Sequence, residues 1–222
     1  MDYLHIPVGQ IAAKLSGSTA VFQKYGIDFC CGGKQVLNDV LSKKRLDAPT
    51  VLRELIALEK NPYQEHKNWS EVSNADLIHH LCSQYHDKHR QQLPELIRLA
   101  AKVERVHGDK ADCPHGLAQL LSETLDELEQ HMLKEEEVLF PMIVHNRLAQ
   151  AQMPIHVMES EHLEHGQRLE KLLLLTNQGI PPKGACNTWQ ALYLGVRSFA
   201  QDIIEHIHLE NNVLFARCLQ GA

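Results

Sequence analysis

Apolar positions along this chain recur every three to four residues and almost never alternate with period two, so the pattern predicts helices and no sheet. The first 60 residues carry short helical stretches, cut at Ser16-Gly17-Ser18, at Tyr25-Gly26 and at Gly32-Gly33. From Asn61-Pro62 to Ser73 the periodicity lapses into polar residues, which predicts a linker. Four long amphipathic segments follow, over about 74–106, 116–146, 155–177 and 187–218. Asn74 is the expected N-cap of the first; the others follow breaks at Cys113-Pro114-His115-Gly116, Pro154 and Pro181-Pro182-Lys183-Gly184. Four such helices on short connections pack as an up-down bundle. The expected fold is therefore all-α, with a small helical domain at 1–60, a linker at 61–73 and a four-helix bundle at 74–222.

The bundle segments read as one helical pair written twice. "HMLKEEEVLF" (131–140) matches "HIHLENNVLF" (206–215) at an offset of 75, keeping H-x3-E and then V-L-F at the same spacing. "HDKHRQQLPEL" (86–96) and "HLEHGQRLEKL" (162–172) share H-x2-H and leucines at an offset of 76. At about 100° per residue, Leu192, Val196, Phe199, Ile203, His206, Glu210, Val213 and Leu214 form one stripe, and Gln201, Glu205, His208 and Asn212 lie opposite. The second segment likewise gathers Leu117, Leu121, Leu128, His131, Glu135, Val138, Leu139 and Met142. In each, one His and one Glu interrupt an apolar face. A buried carboxylate costs several kcal/mol unless it is paired or bound to a cation.

Cations are scarce on these stripes apart from Arg217, and a simple His–Glu hydrogen bond explains one helix better than two matching ones. A metal centre fits the repetition: His86, His131, His162 and His206 offer imidazoles, and Glu135 and Glu210 offer bridging carboxylates. Such mixed ligation suits iron, with dinuclear zinc or manganese compatible by ligand type. Two histidines compete in the first and third segments, His86 with His89 and His162 with His165. The apolar Val157-Met158 turn before Glu161-His162 favours His162, and the choice of His86 and His162, which leaves His89 and His165 as supporting or surface residues, is also the one the family resemblance described below implies. The E-x-x-H pattern of ferritin-like proteins occurs at Glu159–His162 and Glu205–His208, but the second lies on the polar side of its helix.

Composition narrows the setting. Fifteen histidines among 222 residues stand out, while a net charge of −6 argues against a nucleic-acid or anionic-membrane surface. No apolar run is long enough to span a bilayer, and no signal-peptide pattern opens the chain. Six cysteines, at 30, 31, 82, 113, 186 and 218, show no disulfide framework, which fits reduced thiols and a cytoplasmic protein.

The H-x3-E repeat on four helices resembles the hemerythrin-like domains. Together with the N-terminal "DFCCGGKQ" (28–35), it closely resembles the YtfE/ScdA/DnrN group, the RIC (repair of iron centres) family. The likeness runs through "YHDKHRQQLPEL", "KVERVH", "HMLKEEEVLFPM", "VMESEH", "NTWQALY" and "HIHLENNVLFAR", over essentially the whole length. It departs at His165, where a small residue is expected, and at Ala216, the counterpart of Pro141. The resemblance implies a non-haem centre of two iron ions with an oxo or hydroxo bridge on His86, His131, Glu135, His162, His206 and Glu210. It also implies repair of iron-sulfur clusters damaged by nitric oxide or oxidants, with the damaged proteins as clients. Neither the sequence nor the resemblance sets the oligomeric state, and a homodimer is one assembly to test. Iron donation is the first expectation; nitric oxide reduction, or diatomic-gas binding and sensing, is the alternative. Cys30 and Cys31 are expected to be accessory thiols, activated by Lys34 and by a helix starting just after them.

Overall fold

Helix dominates the computed structural model, which describes residues 2–59 and 69–221. Among these residues there is no strand, and an isolated antiparallel bridge joins Pro7 and Val36. Four short helices come first: α1 (Val8–Lys14), α2 (Ser18–Lys24), α3 (Leu37–Lys44) and α4 (Ala48–Glu59). Most of the linker expected at 61–73 lies outside the described residues. Helix α5 is continuous through Asn74–Leu81, a π-helical turn at Cys82–His86, and Asp87–His107. Helix α6 joins Leu117–Lys134, a π turn at Glu135–Leu139, and Phe140–Val144. Helix α7 covers Leu148–Leu175, and α8 joins Asn187–Leu209, a π turn at Glu210–Phe215, and Ala216–Gln220.

The helix ends show where local chemistry shifts the expected boundaries. Ser73, not Asn74, caps α5: its Oγ accepts from the Asp76 N–H at 3.1 Å and donates to the Asp76 carboxylate at 2.7 Å. Asn74 is instead the first helical residue. Helix α7 starts seven residues earlier than the proline break suggests, with Pro154 inside it. One missing donor so near a helix start removes a single backbone bond, which the surrounding turns tolerate.

The chain divides into two compact units, Met1–Leu77 with Glu205–Ala222, and Ile78–Ile204. The second is the bundle core of α5 to α8, closed by residues such as Leu93, Ala100, Leu121, Leu172, Leu192 and Val196, all fully buried. Each leucine or valine among them contributes roughly 1.5–3 kcal/mol by leaving water. Helices α5 and α8 approach closely at Gly195, where a Cβ would stand 2.6 Å from Leu96 Cδ2.

In the first unit Val8, Ile11, Phe22, Phe29, Leu37 and Leu41 form a small core. The segment after Phe29 runs back along the start of α1, with Val8 N donating to Gln35 O and Gly9 N to Gly33 O, each at 2.9 Å. The end of α8 completes this unit. Arg217 donates to the carbonyls of Val72 and Trp69 and to Asn74 Oδ1, at 2.7, 2.8 and 2.9 Å, so its charge is committed to capping backbone. No helix among the described residues is long and apolar enough to cross a membrane.

Candidate metal centre

All six histidines and glutamates singled out in the sequence are at most 1% exposed. The π turns sit at these residues: one ends on His86, one begins on Glu135 and one begins on Glu210. A π turn inserts an extra residue and re-aims the side chains around it, a feature common at functional sites. It also rotates the apolar stripe beyond it. Val138, placed on that stripe by uniform periodicity, is 45% exposed, while Leu139, Phe140 and Ile143 take the buried positions.

Within residues 78–204 four of the six converge. Glu135 presents one oxygen to each of two imidazoles: Oε2 lies 3.5 Å from His86 Nε2, and Oε1 lies 3.4 Å from His131 Nε2. His131 Nε2 and His162 Nε2 are 3.0 Å apart. The ligand atoms of His131, Glu135 and His162 all fall within 4.8 Å of one another. In the other unit His206 Nε2 lies 3.1 Å from Glu210 Oε1, the second H-x3-E pair reproducing the first.

The far nitrogens of two imidazoles are anchored. His86 Nδ1 meets Glu136 Oε1 at 2.6 Å, and His131 Nδ1 meets Glu161 Oε2 at 2.8 Å. A carboxylate on Nδ1 fixes the tautomer and aims Nε2, the usual support for a metal-bound histidine. Both carboxylates stay ionised. The His131 hydrogen bond, with one from Lys134, holds Glu161 down to about 2 against the opposing effect of burial. Burial pushes Glu136 upward, but hydrogen bonds from Arg90 and His86 outweigh it and leave it below the ordinary range. Arg90 spans Glu136 and Glu129, with Nη1 to Glu136 at 2.9 Å and Nε to Glu129 at 2.9 Å.

Two ligands bound at about 2.1 Å to one ion, at ordinary angles, stand roughly 3.0–3.4 Å apart. The inner contacts of 3.0, 3.4 and 3.5 Å match that separation to within about 0.1 Å, and the two nearer Glu135 are long for charge-assisted hydrogen bonds. Nitrogen and carboxylate donors without thiolate suit non-haem iron, so this group fits the pattern. Cys82, at the start of the π turn, also comes within 4.8 Å of His86 and Glu136.

Some expectations need correction. His89 and His165 are not surface residues: His89 is fully buried edge-on to Phe199 at 5.4 Å, and His165 is buried edge-on to His131 at 4.8 Å. Their i+3 offset from His86 and His162 puts them on the same inward faces. His208, assigned to the polar side of its helix, is 3% exposed and packs against Phe29 at 5.3 Å, because that side is covered by the N-terminal helices of its own unit. Cys30 and Cys31 are half-buried in a loop that ends before α3 begins at Leu37, so no helix start lies beside them. The hydrogen bond to Cys31, burial and the Asp28 charge push the Cys30 thiol well up, the reverse of activation. Glu136, Glu161 and Arg90 went unnoticed in the sequence. The only signals were adjacency to Glu135 and His162 and, for Arg90, an i+4 offset from His86.

Fold and site together define a helical-bundle protein built to bind cations. Residues 77–218 match the hemerythrin HHE cation-binding domain, and residues 5–59 match ScdA_N, a domain of unknown function (DUF542). At full length the chain is 49% identical over 221 residues to "Iron-sulfur cluster repair protein YtfE" of Yersinia pseudotuberculosis serotype O:1b (strain IP 31758), covering 100% of both chains. It is equally similar, 49% over 221 residues and 100% of each chain, to the protein of the same name in Yersinia pestis (strain Pestoides F). The chain belongs to the YtfE family of hemerythrin-like proteins.

Proposed function

We propose that this chain is a di-iron protein that repairs iron-sulfur clusters damaged by nitric oxide or oxidative stress, and that it does so by supplying iron. The observation that supports this most is the buried His131–Glu135–His162 group, with His131 braced from behind by Glu161. On this reading His86, His131, Glu135 and His162 act with His206 and Glu210 as the ligands of two iron ions joined by an oxo or hydroxo bridge. The sequence repeat supports pooling the two H-x3-E pairs, as does a family match that runs through all six residues. Glu135 has one oxygen toward each of two imidazoles, the disposition a bridging carboxylate needs, and Glu210 is its counterpart in the repeat.

Iron bound there would supply a redox-active, exchangeable metal with open coordination positions. The protein's contribution is positioning: Glu136 and Glu161 keep the Nδ1 protons of His86 and His131, so both imidazoles present Nε2 as a neutral donor. Buried apolar neighbours such as Phe140, stacked on His86 at 5.8 Å, keep bulk water from competing for the donors. The domain matches at 5–59 and 77–218 support an N-terminal domain at 1–60, a linker at 61–73 and a bundle at 74–222. We place the protein in the cytoplasm, with damaged iron-sulfur proteins as clients and nitric oxide as a small ligand; a homodimer is one assembly to test.

Metal analysis with Mössbauer spectroscopy of the isolated protein is expected to find two coupled irons per chain, and Glu135→Ala and Glu210→Ala each to lower this toward one or zero. Full retention of two irons in both variants removes these carboxylates from the site. Iron-loaded protein should restore a nitrosylated iron-sulfur enzyme. Catalytic consumption of nitric oxide without restoration would replace donation by reduction, and reversible binding alone would replace both by sensing.

A further inference from the structure

The loop that carries the cysteine pair has its own concentration of donor atoms, made from residues the histidine centre does not use. Cys30 Sγ and Cys31 Sγ lie 3.7 Å apart, and Cys30 Sγ lies 3.4 Å from Asp28 Oδ1. Ligand atoms of Asp28, Cys30 and Cys31 all fall within 4.8 Å of one another. A disulfide needs its sulfurs at about 2.05 Å, so these thiols are not joined. Two thiolates bound at 2.3 Å to one tetrahedral ion stand roughly 3.8 Å apart, and a thiolate and a carboxylate oxygen roughly 3.6 Å apart. The loop already has both separations to within about 0.2 Å.

From this geometry we propose that Cys30, Cys31 and Asp28 form a binding site for one thiophilic divalent cation of the Zn²⁺ or Fe²⁺ class. Two sulfurs and one carboxylate oxygen disfavour Mg²⁺ and Ca²⁺, which take all-oxygen shells. Asp28 is exposed and the cysteines are half-buried, so a fourth position faces solvent. The proposal does not rest on the histidine centre.

The loop is built to hold this shape. The Asp28 carboxylate accepts the N–H groups of Cys30, Cys31 and Gly32 at 3.1, 3.0 and 2.9 Å. Asn211 Nδ2 donates to Cys30 O at 3.2 Å, and Asn212 Nδ2 donates to Phe29 O at 3.0 Å. Gly32 and Gly33 are required by close approach. A Cβ on Gly32 would stand 2.9 Å from Asp28 O, and one on Gly33 would stand 2.2 Å from Asn212 Oδ1 and 2.8 Å from Phe29 O. Such tight packing fixes the sulfur positions before a cation arrives, lowering the ordering cost of binding. On binding, a divalent ion replaces two thiol protons, M²⁺ + 2 RSH giving M(SR)₂ + 2 H⁺.

The test is titration of the full-length, iron-loaded protein with Cd²⁺, read by the ultraviolet thiolate-to-cadmium absorption, which histidine and carboxylate ligands do not produce. The absorption is expected to saturate at one Cd²⁺ per chain with release of two protons, and the Cd²⁺ titration to shift to higher concentration when excess Zn²⁺ is present. Cys30→Ser and Cys31→Ser should each abolish it with unchanged helical circular dichroism and unchanged iron content. Asp28→Asn, which keeps an acceptor for the loop N–H groups, should weaken Cd²⁺ binding at least tenfold, and Cys186→Ser should leave it unchanged. No thiolate absorption, or an absorption that survives in the Cys30 and Cys31 variants, overturns the site. So does a Cd²⁺ titration left unshifted by a large excess of Zn²⁺. Because iron content is followed separately, failure here is distinguishable from failure of the di-iron reading.

Discussion

Glu161→Gln removes one charge and leaves the size of the side chain unchanged, behind an imidazole that the proposed centre depends on. Glu161 accepts from His131 Nδ1 at 2.8 Å and pairs through its other oxygen with Lys134. The drop from an ordinary 4.5 to about 2 corresponds to about 3 kcal/mol at full strength. The side chain is 24% exposed, so solvent screening reduces that to about 1–2 kcal/mol. Metal affinity is a separate quantity: losing an outer carboxylate behind a metal-bound histidine typically costs about 10–100-fold, roughly 1.4–2.8 kcal/mol. Iron affinity measured by competition with a chelator should therefore fall at least tenfold in Glu161→Gln. An exposed neighbour, Glu164→Gln, should leave it within twofold. A second arm uses metal-free protein. Because the Glu161 carboxyl titrates lower in the folded chain than in the unfolded one, its stabilisation is present above about pH 4.5 and is lost as pH falls toward 2. That component of acid unfolding should be missing from Glu161→Gln. Unchanged iron affinity in Glu161→Gln would refute the idea that this carboxylate aims His131 at a metal.

Three further outcomes follow from particular contacts. Gly33→Ala drives a methyl into Asn212 Oδ1 and the Phe29 carbonyl, and should cost about 1–3 kcal/mol in denaturant unfolding, with Gly26→Ala as a comparison where no atom lies within 4 Å but φ is +62°. Gly195→Ala should cost less, about 1 kcal/mol, since the atom it meets is the end of the flexible Leu96 side chain. Burial pulls His208 down to about 4, with a hydrogen bond to the Ala12 backbone opposing it. The unfolded chain takes up this proton near pH 6.5 and the folded chain only near 4, so stability should fall by up to about 3 kcal/mol as pH drops through that window. A His208→Gln variant with the same slope would show that another group is responsible.

The repeated H-x3-E spacing was enough to pick out His131, Glu135, His206 and Glu210, because a carboxylate on an apolar helical stripe is costly and two copies at one spacing need a common cause. Helix identity and the long bundle segments were legible for a similar reason: amphipathic period is a local property of the chain. Less legible were the positions that depend on departures from that period. The π turn at Glu135 leaves no mark on a 3.6-residue pattern, so uniform periodicity places Val138 inside although it is exposed. His208 looked polar-facing because the helices that bury it come from the far end of the sequence. The bracing of His86 by Glu136 and of His131 by Glu161 joins residues 50 and 30 positions apart, a pairing no local pattern encodes. Cys30 and Cys31 stand out in the sequence as an adjacent pair, but the shape of their loop is set by Asp28 beneath it and by Asn211 and Asn212 from the last helix. Spacing along the chain determined which histidines and glutamates lie on buried faces, since local periodicity selects those faces. Only the tertiary structure decided how those residues are aimed and what their protons do, because orientation and charge balance are set by neighbours distant in the chain.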